Sequence, residues 1–389
     1  MLLVFLKLGL TSFGGPLAHI AYFREEFVRR RAWLDERVFA DLVGLCQFLP
    51  GPASSQTGFA IGLVRAGYLG AAAAWAGFTL PSAIVMTLFA YGAARLAGPL
   101  WAGALHGLKL VAVAVIAQAV LGMARASAGD RAGASIALVA ALIVLVAGSG
   151  LAQIGAVGLG ALAGLLLCRR AGAPTPGPIL TPVSKRVGLA AASLYLAILL
   201  ALPILGGLLA SPALALFSAF YRSGALVFGG GHVVLPLLRQ AFVAHRWITD
   251  NAFLAGYGAA QALPGPLFTF AAYLGVAARP SLGLAGAALG IVGIFAPGLL
   301  ILIGALPFWG RLRNEAAAQA AMRGVNASVV GLLAATLYTP VWTSSVRTPA
   351  DLAVALGGFA LLAVWRNPPV LAVALSGLAG AALAAAGLR

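Results

Sequence analysis

Three runs of this chain, residues 69 to 94, 187 to 210 and 281 to 308, carry no charged side chain. Each is long enough to cross a hydrocarbon layer as a helix, which takes about 20 apolar residues. Further apolar stretches of helical length lie at 101 to 124, 132 to 147, 150 to 168, 317 to 339, 350 to 365 and 369 to 388, the second of them short for a lone span. Over the whole chain 62% of residues are apolar and 9% charged, against roughly 45–50% and about 25% in soluble domains. The expected class is therefore an all-α polytopic membrane protein. A soluble enzyme, a disordered tail and a secreted disulfide scaffold are excluded. The 50 glycines suit close helix packing, because lipid supplies no hydrophobic drive between helices and small residues let backbones approach.

A net charge of +16 would point to nucleic acid in a soluble chain, but here the Arg residues sit mostly in short connections between apolar runs. That distribution reads as topology, and no nucleic acid partner is expected. Cys46 and Cys168 have neither CxxC spacing nor a partnering His cluster, so they read as buried thiols, and no disulfide, metal or other cofactor is expected. Met1 to Leu6 lacks the basic start and small-residue cleavage site of a signal peptide, so the N-terminus is read as part of the mature fold.

The chain can be laid on itself at an offset of about 215 residues. Phe5, Gly9, Phe13, Gly14 and Gly15 then fall on Phe220, Gly224, Phe228, Gly229 and Gly230. After a one-residue gap, Trp33, Phe39, Gln47, Leu49 and Pro50-Gly51-Pro52 fall on Trp247, Phe253, Gln261, Leu263 and Pro264-Gly265-Pro266. Further on, Gly107-Leu108-Lys109 meets Gly324-Val325-Asn326. Such self-similarity fixes architecture. It divides the chain into a first repeat over 1–168, a basic, Pro-rich linker with a connecting helix over 169–212, and a second repeat over 213–389.

Charge placement suggests how the repeats are oriented. The loop 24 to 37 holds Arg24, Arg29, Arg30, Arg31 and Arg37, whereas its mate holds Arg239 and Arg246. The stretch near Arg95 is nearly bare, whereas 309 to 323 holds Arg311, Arg313 and Arg323. A positive bias that swaps sides is the mark of an inverted-topology repeat. The apolar segments 1 to 23, 39 to 66, 213 to 238 and 252 to 279 are broken by Gly and Pro. Keeping the basic loops cytoplasmic requires the two broken segments of each half to contribute an even number of crossings. Two re-entrant segments do so and are preferred. Two full spans meet the same count but put the loop 24 to 37 outside.

The breaks are the candidate site. The first reads Ser12-Phe13-Gly14-Gly15-Pro16, opposite Gly229-Gly230-Gly231-His232; the second reads Gln47 to Pro50-Gly51-Pro52 and on to Ser54-Ser55, opposite Gln261 and Pro264-Gly265-Pro266. Pro removes an amide donor and clashes with the preceding turn, so Pro-Gly-Pro ends one helix and starts another. In hydrocarbon the freed backbone groups must be met by protein, water or solute. Helix N-termini present amides and roughly half a positive charge, so converging breaks would suit an oxyanion. Interrupted segments in matching positions of two repeats are the best sequence pointer to a transporter's site.

The nine acidic residues lie in or near expected loops or segment ends, whereas Lys7, His19, Lys109, Arg222 and His232 fall at membrane depth. Buried cations among helix N-termini favour an anionic solute. Lys109 and its mate Asn326 join the candidate site, Lys109 with snorkelling as the alternative. His19 reads as a structural histidine, His232 as a functional one, and Arg24 to Arg37 with Trp33 as an interfacial amphipathic helix.

Phe5 to Pro16, Trp33 to Pro52 and their second-half copies resemble the chromate ion transporter family in its long-chain, two-domain form. The resemblance covers essentially the whole chain. It implies a multi-pass protein of a bacterial plasma membrane whose two homologous domains have opposite orientation, exporting chromate and so giving chromate resistance. Sulfate, also a tetrahedral dianion, is implied to share the route. The family pattern falls on Gly14, Gly15, Pro16, Gln47, Pro50, Gly51, Pro52 and their mates. The second half departs from it: Gly231-His232 replaces Pro after the glycines, and Leu267-Phe268 replaces Ala-Ser after Pro266. The first half, richer in hydroxyls and amides, is expected to hold the anion more tightly. The expected partners are the oxyanion, the lipid bilayer and, as a candidate, a second copy in a homodimer. An oxyanion importer or channel, a membrane scaffold and an intramembrane enzyme are the rival readings, although no catalytic triad, HExxH or Walker motif occurs.

Overall fold

The computed structural model describes residues 1–95, 98–147, 150–168, 182–209, 211–228 and 231–387, and among these every regular element is a helix. The basic linker from Arg169 lies largely outside the described residues.

The opening segment is α1 (Leu2–Thr11) and α2 (Gly15–Arg24), the latter running into a π-helical turn over Glu25–Arg30. At 1.5 Å per residue neither helix reaches across a bilayer alone. The chain reverses between them. Phe5 stacks on Phe27 with ring centroids 4.9 Å apart, whereas a straight helix would separate those residues by about 33 Å. The left-handed glycines Gly14 (φ 102°) and Gly15 (φ 79°) make the reversal, a backbone region in which a Cβ is strained. A second hairpin follows: α3 (Glu36–Phe48), capped by Asp35, turns at Pro50-Gly51-Pro52 into α4 (Ala53–Arg95). α4 doubles back at Ala66–Gly67, so its first leg belongs to the hairpin and its second, longer leg is a separate rod. The hairpin's ends meet where the Arg65 guanidinium lies 5.9 Å over the Trp33 ring. The expected interfacial helix over 24 to 37 is shorter than read: helix geometry ends at Arg30, and Ala32 takes a positive φ of 47°.

α5 (Pro99–Ser127), α6 (Arg131–Ala147) and α7 (Gly150–Leu167) complete the first half, and α8 (Lys185–Leu209) leads to the second. There α9 (Pro212–Ala225) and α10 (Val234–Phe242) repeat the first hairpin, with Phe220 against Phe242 at 4.7 Å. α11 (Asp250–Ala260) and α12 (Phe270–Ala278) repeat the second. Thr249 caps α11 where Asp35 caps α3, and the Arg279 guanidinium lies 4.5 Å over Trp247 where Arg65 lies over Trp33. α13 (Gly283–Ala305), the short α14 (Trp309–Leu312), α15 (Ala316–Thr336), the short α16 (Thr343–Ser345), α17 (Pro349–Phe359) and α18 (Pro369–Ala385) follow.

The halves interlock. α5 packs on α17 and α18, while α15 packs on α6 and α7. Glycines make these contacts possible: Gly103 and Gly107 lie against Gly380 and Ser376, and Gly324 against Gly160 and Gly164, with no room for a Cβ. Five helical stretches among the described residues are long and apolar enough to cross a membrane. Outward-facing Leu138, Leu142, Leu162, Leu196, Leu200 and Leu208 on α6 to α8 are exposed, as a lipid-facing surface requires.

Two acidic residues near segment ends are buried and paired across the halves. Asp41, on α3 itself, accepts from Arg313 of the second half at 2.8 Å, and Asp351 meets His106 at 2.7 Å. Outside the spans, Glu26 accepts from Arg31 at 2.6 Å and Arg30 at 2.7 Å. The Arg31 hydrogen bond holds its carboxyl below the usual range despite burial. A depressed folded-state value stabilises above the unfolded one and is lost as pH falls through it. Glu26→Gln is therefore expected to lower the thermal midpoint at pH 7, with the gap from wild type closing as pH drops below about 4.5, measured by scanning fluorimetry in detergent.

Candidate functional site

The tips of the four hairpins come together. Gly51 N donates to Val227 O at 2.8 Å, and Gly265 N donates to Ser12 O at 2.9 Å. These are corresponding atoms: the Pro-Gly-Pro tip of each half donates to the carbonyl that precedes the glycine break of the other. Gly231 closes the group from the second half, where a Cβ would lie 3.4 Å from Pro16 and 3.6 Å from Leu267. Gly229, Gly230 and the side chain of His232 lie outside the described residues.

Each tip also rests on a long helix. Gly265 sits against Ser82 and the Phe78 carbonyl on α4, and Gly51 against Gly298 on α13. Their positive φ values of 89° and 125° are what the turn demands, so a Cβ would be strained as well as crowded. In the first half the turn is further clamped by Gln56, whose Nε2 donates to Pro50 O at 2.9 Å and to Gly298 O at 2.8 Å. The second half has Phe270 at that position and seats it on Phe253 and Tyr257.

His19, buried on α2, joins the two first-half breaks. Its Nε2 lies 3.2 Å from Ser12 O and its Nδ1 3.3 Å from Ser54 Oγ. A carbonyl only accepts, so Nε2 carries the proton, and Nδ1 of the neutral ring accepts from the Ser54 hydroxyl. Ser12 Oγ, Ser55 Oγ, Gln56 Oε1 and Thr79 Oγ1 are buried nearby in sequence or contact and have no hydrogen-bond partner. The N-terminus of α2 has no side-chain cap, Gly14 is exposed, and open space lies where a Gly15 Cβ would project. Gly15 and Leu17 therefore present amides that no earlier turn can satisfy.

The other sequence-derived candidates divide. Pro50, Pro52, Pro264 and Pro266 form the turns, and Pro266 O accepts from Thr269 Oγ1 at 2.8 Å. Gln261 Nε2 is buried without a partner beside the second turn. Asn326 lies on α15, the helix packed on Gly231–Val233, and its Oδ1 is likewise unpartnered. Gln47 is exposed on the last turn of α3. Lys109 is not brought to the tips: its Nζ reaches Asn251 Oδ1 at 3.0 Å, in the first turn of α11, the end away from Pro264. The sequence also assigned break amides to a solute, but those of Gly51 and Gly265 are committed to the opposite half. Gln56, His19 and Gly298 were missed as site residues. Gln56 could have been found from its place four residues after Pro52, inside the first turn of the restarted helix. Among the described residues no three His, Cys, Asp or Glu side chains are grouped to hold a metal ion.

Residues 1–165 and 214–381 match the family described as Chromate transporter. The chain is 31% identical over 386 residues to the chromate transport protein of Pseudomonas aeruginosa, covering 97% of this chain and 90% of that protein. It is 27% identical to the probable chromate transport protein of Synechococcus elongatus (97% and 93% covered) and 25% identical to the chromate transport protein of Cupriavidus metallidurans (94% and 88% covered). No solved structure matches.

The clamp gives a direct expectation. Gln56→Leu keeps the volume and leaves Pro50 O and Gly298 O without their donor, a loss of about 1–3 kcal/mol for buried groups. It should lower the thermal midpoint in detergent, while Gln47→Leu on the exposed face should leave it unchanged. Equal midpoints for Gln56→Leu and wild type would remove the clamp.

Proposed function

Because the chain belongs to the chromate transporter family, we propose that it is a secondary transporter exporting chromate across the cell membrane, with sulfate as a competing dianion, and that it thereby gives resistance. The anion binds at the meeting of the four hairpin tips, on the first-half side. The observation that supports this reading is the uncapped, open N-terminus of α2 at Gly14 and Gly15, on the helix whose His19 ties Ser12 to the buried Ser54. Amides, hydroxyls and a helix dipole meet a tetrahedral dianion without a full positive charge, so the ion can also leave.

The two repeats, 1–168 and 213–389, lie in opposite orientations, with the four hairpins re-entrant and the basic loops cytoplasmic. Rocking of one bundle against the other exposes the tips alternately to the two sides. The Gly51–Val227 and Gly265–Ser12 hydrogen bonds fit this scheme as a hinge that keeps the tips together while the outer helices move. Outward movement of a dianion across an inside-negative membrane gains about 2 × 2.3 kcal/mol per 100 mV, enough to drive export without ATP.

The test is flux of radiolabelled chromate in proteoliposomes under an imposed potential. Flux is expected to follow the potential, to be competed by sulfate but not phosphate, and to fall at least tenfold in Gly15→Val, whose side chain would fill the open space at the α2 N-terminus. Absence of flux from folded, inserted protein under any potential or pH gradient would overturn potential-driven export. Full flux in Gly15→Val would move the site elsewhere.

A further inference from the structure

A cleft of about 600 Å³ opens where α9 and α10 of the second half meet the connecting α8 and the first-half α7, and its walls include Arg222, Ser223, Gln240, His245, Trp247 and Gln153. Among the described residues no carboxylate lines it. Arg222 stands on α9 one turn before the break, its carbonyl accepting from Leu226 N, and it is exposed within the cleft. A narrower apolar space shares the Gln153, Ile154, Leu226 and Leu237 walls and reaches Phe228 and Val233, the residues flanking the second-half glycine break. The cleft thus leads from the Trp247 end of the hairpin toward the meeting point of the tips.

The corresponding place in the first half differs in charge. At the same offset of 215, Arg222 corresponds to Lys7, and Gln240 and Ala241 correspond to Glu25 and Glu26. Glu26 is within electrostatic reach of Lys7 and is bonded to Arg30 and Arg31, so the first-half cation faces a carboxylate. The second half has an amide and a methyl instead. A guanidinium beside a break at membrane depth is costly unless water or a counter-ion solvates it. A cleft with one sign of charge and low-dielectric walls concentrates ions of the opposite sign.

We propose that this cleft is the anion's access vestibule and that Arg222 is its first docking point, taking a tetrahedral dianion by its planar fork before the ion passes to the tips. The proposal rests on the reading that the chain carries such a dianion, and it assigns the two halves different tasks: capture in the second, tight contact in the first.

Thiol labelling tests the vestibule without transport. In a background lacking the two native cysteines, both buried, Ala219→Cys or Ala241→Cys on the cleft walls is treated with anionic and cationic methanethiosulfonate reagents, with rates normalised to a free thiol. The anionic reagent is expected to be favoured about tenfold, the size of ~1.4 kcal/mol of local attraction. The preference should fall toward one in Arg222→Gln and return in Arg222→Lys. In proteoliposomes Arg222→Gln and Ala241→Glu should each raise the KM for chromate roughly tenfold while changing kcat less. Equal labelling rates with and without Arg222, no labelling at either position, or an unchanged KM overturns the vestibule. Normal wild-type flux with no charge preference rejects the vestibule alone; a charge preference without any chromate flux rejects the transport reading and leaves an anion-attracting cleft.

Discussion

Broken helices in hydrocarbon must find partners for the backbone groups that the break sets free. In this protein two of those groups find each other's mates: Gly51 N on Val227 O and Gly265 N on Ser12 O. Much else follows from that exchange. The tips of both halves are held at one place, so α1 to α4 and α9 to α13 cannot separate into independent bundles. The crossing of α5 onto α18 and of α15 onto α7 repeats the exchange at a larger scale, with glycines on both sides. Buried pairs between Arg313 and Asp41 and between His106 and Asp351 also join one half to the other. Removing one partner from such a pair leaves an uncompensated buried charge, so these links favour the interlocked arrangement over separate halves.

Within this near-symmetric frame, chemistry has been distributed unevenly. After Pro52 come Ser54, Ser55 and Gln56; after Pro266 come Phe268, Thr269 and Phe270. The first set clamps its turn through Gln56 and carries hydroxyls to the tips, while the second packs its turn into aromatic rings. The charged positions diverge in the opposite sense, since Lys7 faces Glu26 whereas Arg222 has no carboxylate in its cleft among the described residues. A duplicated scaffold can assign two tasks in this way without changing its backbone, because only side chains on equivalent elements differ.

Much of this was legible in the sequence. Gly and Pro at matched positions mark the breaks because their backbone consequences are local, and Phe5, Trp33 and their mates reveal the duplication by identity alone. Glycine pairs mark where the chain turns, and the first broken segment does reverse, bringing Phe5 to Phe27. Long-range pairing was not legible. Nothing local in Gly51 says that its amide ends on Val227 rather than on a solute. Lys109 looked like a site residue because of its depth, but a flexible four-carbon stem carried its charge to Asn251. Gln47 and Gln56 flank the same turn on different helices, and only the packing of the fold leaves Gln47 exposed at the end of α3 and Gln56 buried at the start of α4.

The central claim is that a tetrahedral dianion is held where the four tips meet. Chromium itself reports on this, since its anomalous scattering in crystals grown with chromate locates the ion without assuming a site. The account expects a peak bounded by Ser12, Gly15, Ser54 and Gly231. A saturating chromate soak that leaves this position empty and places the ion beside Lys109 and Asn251 would contradict it.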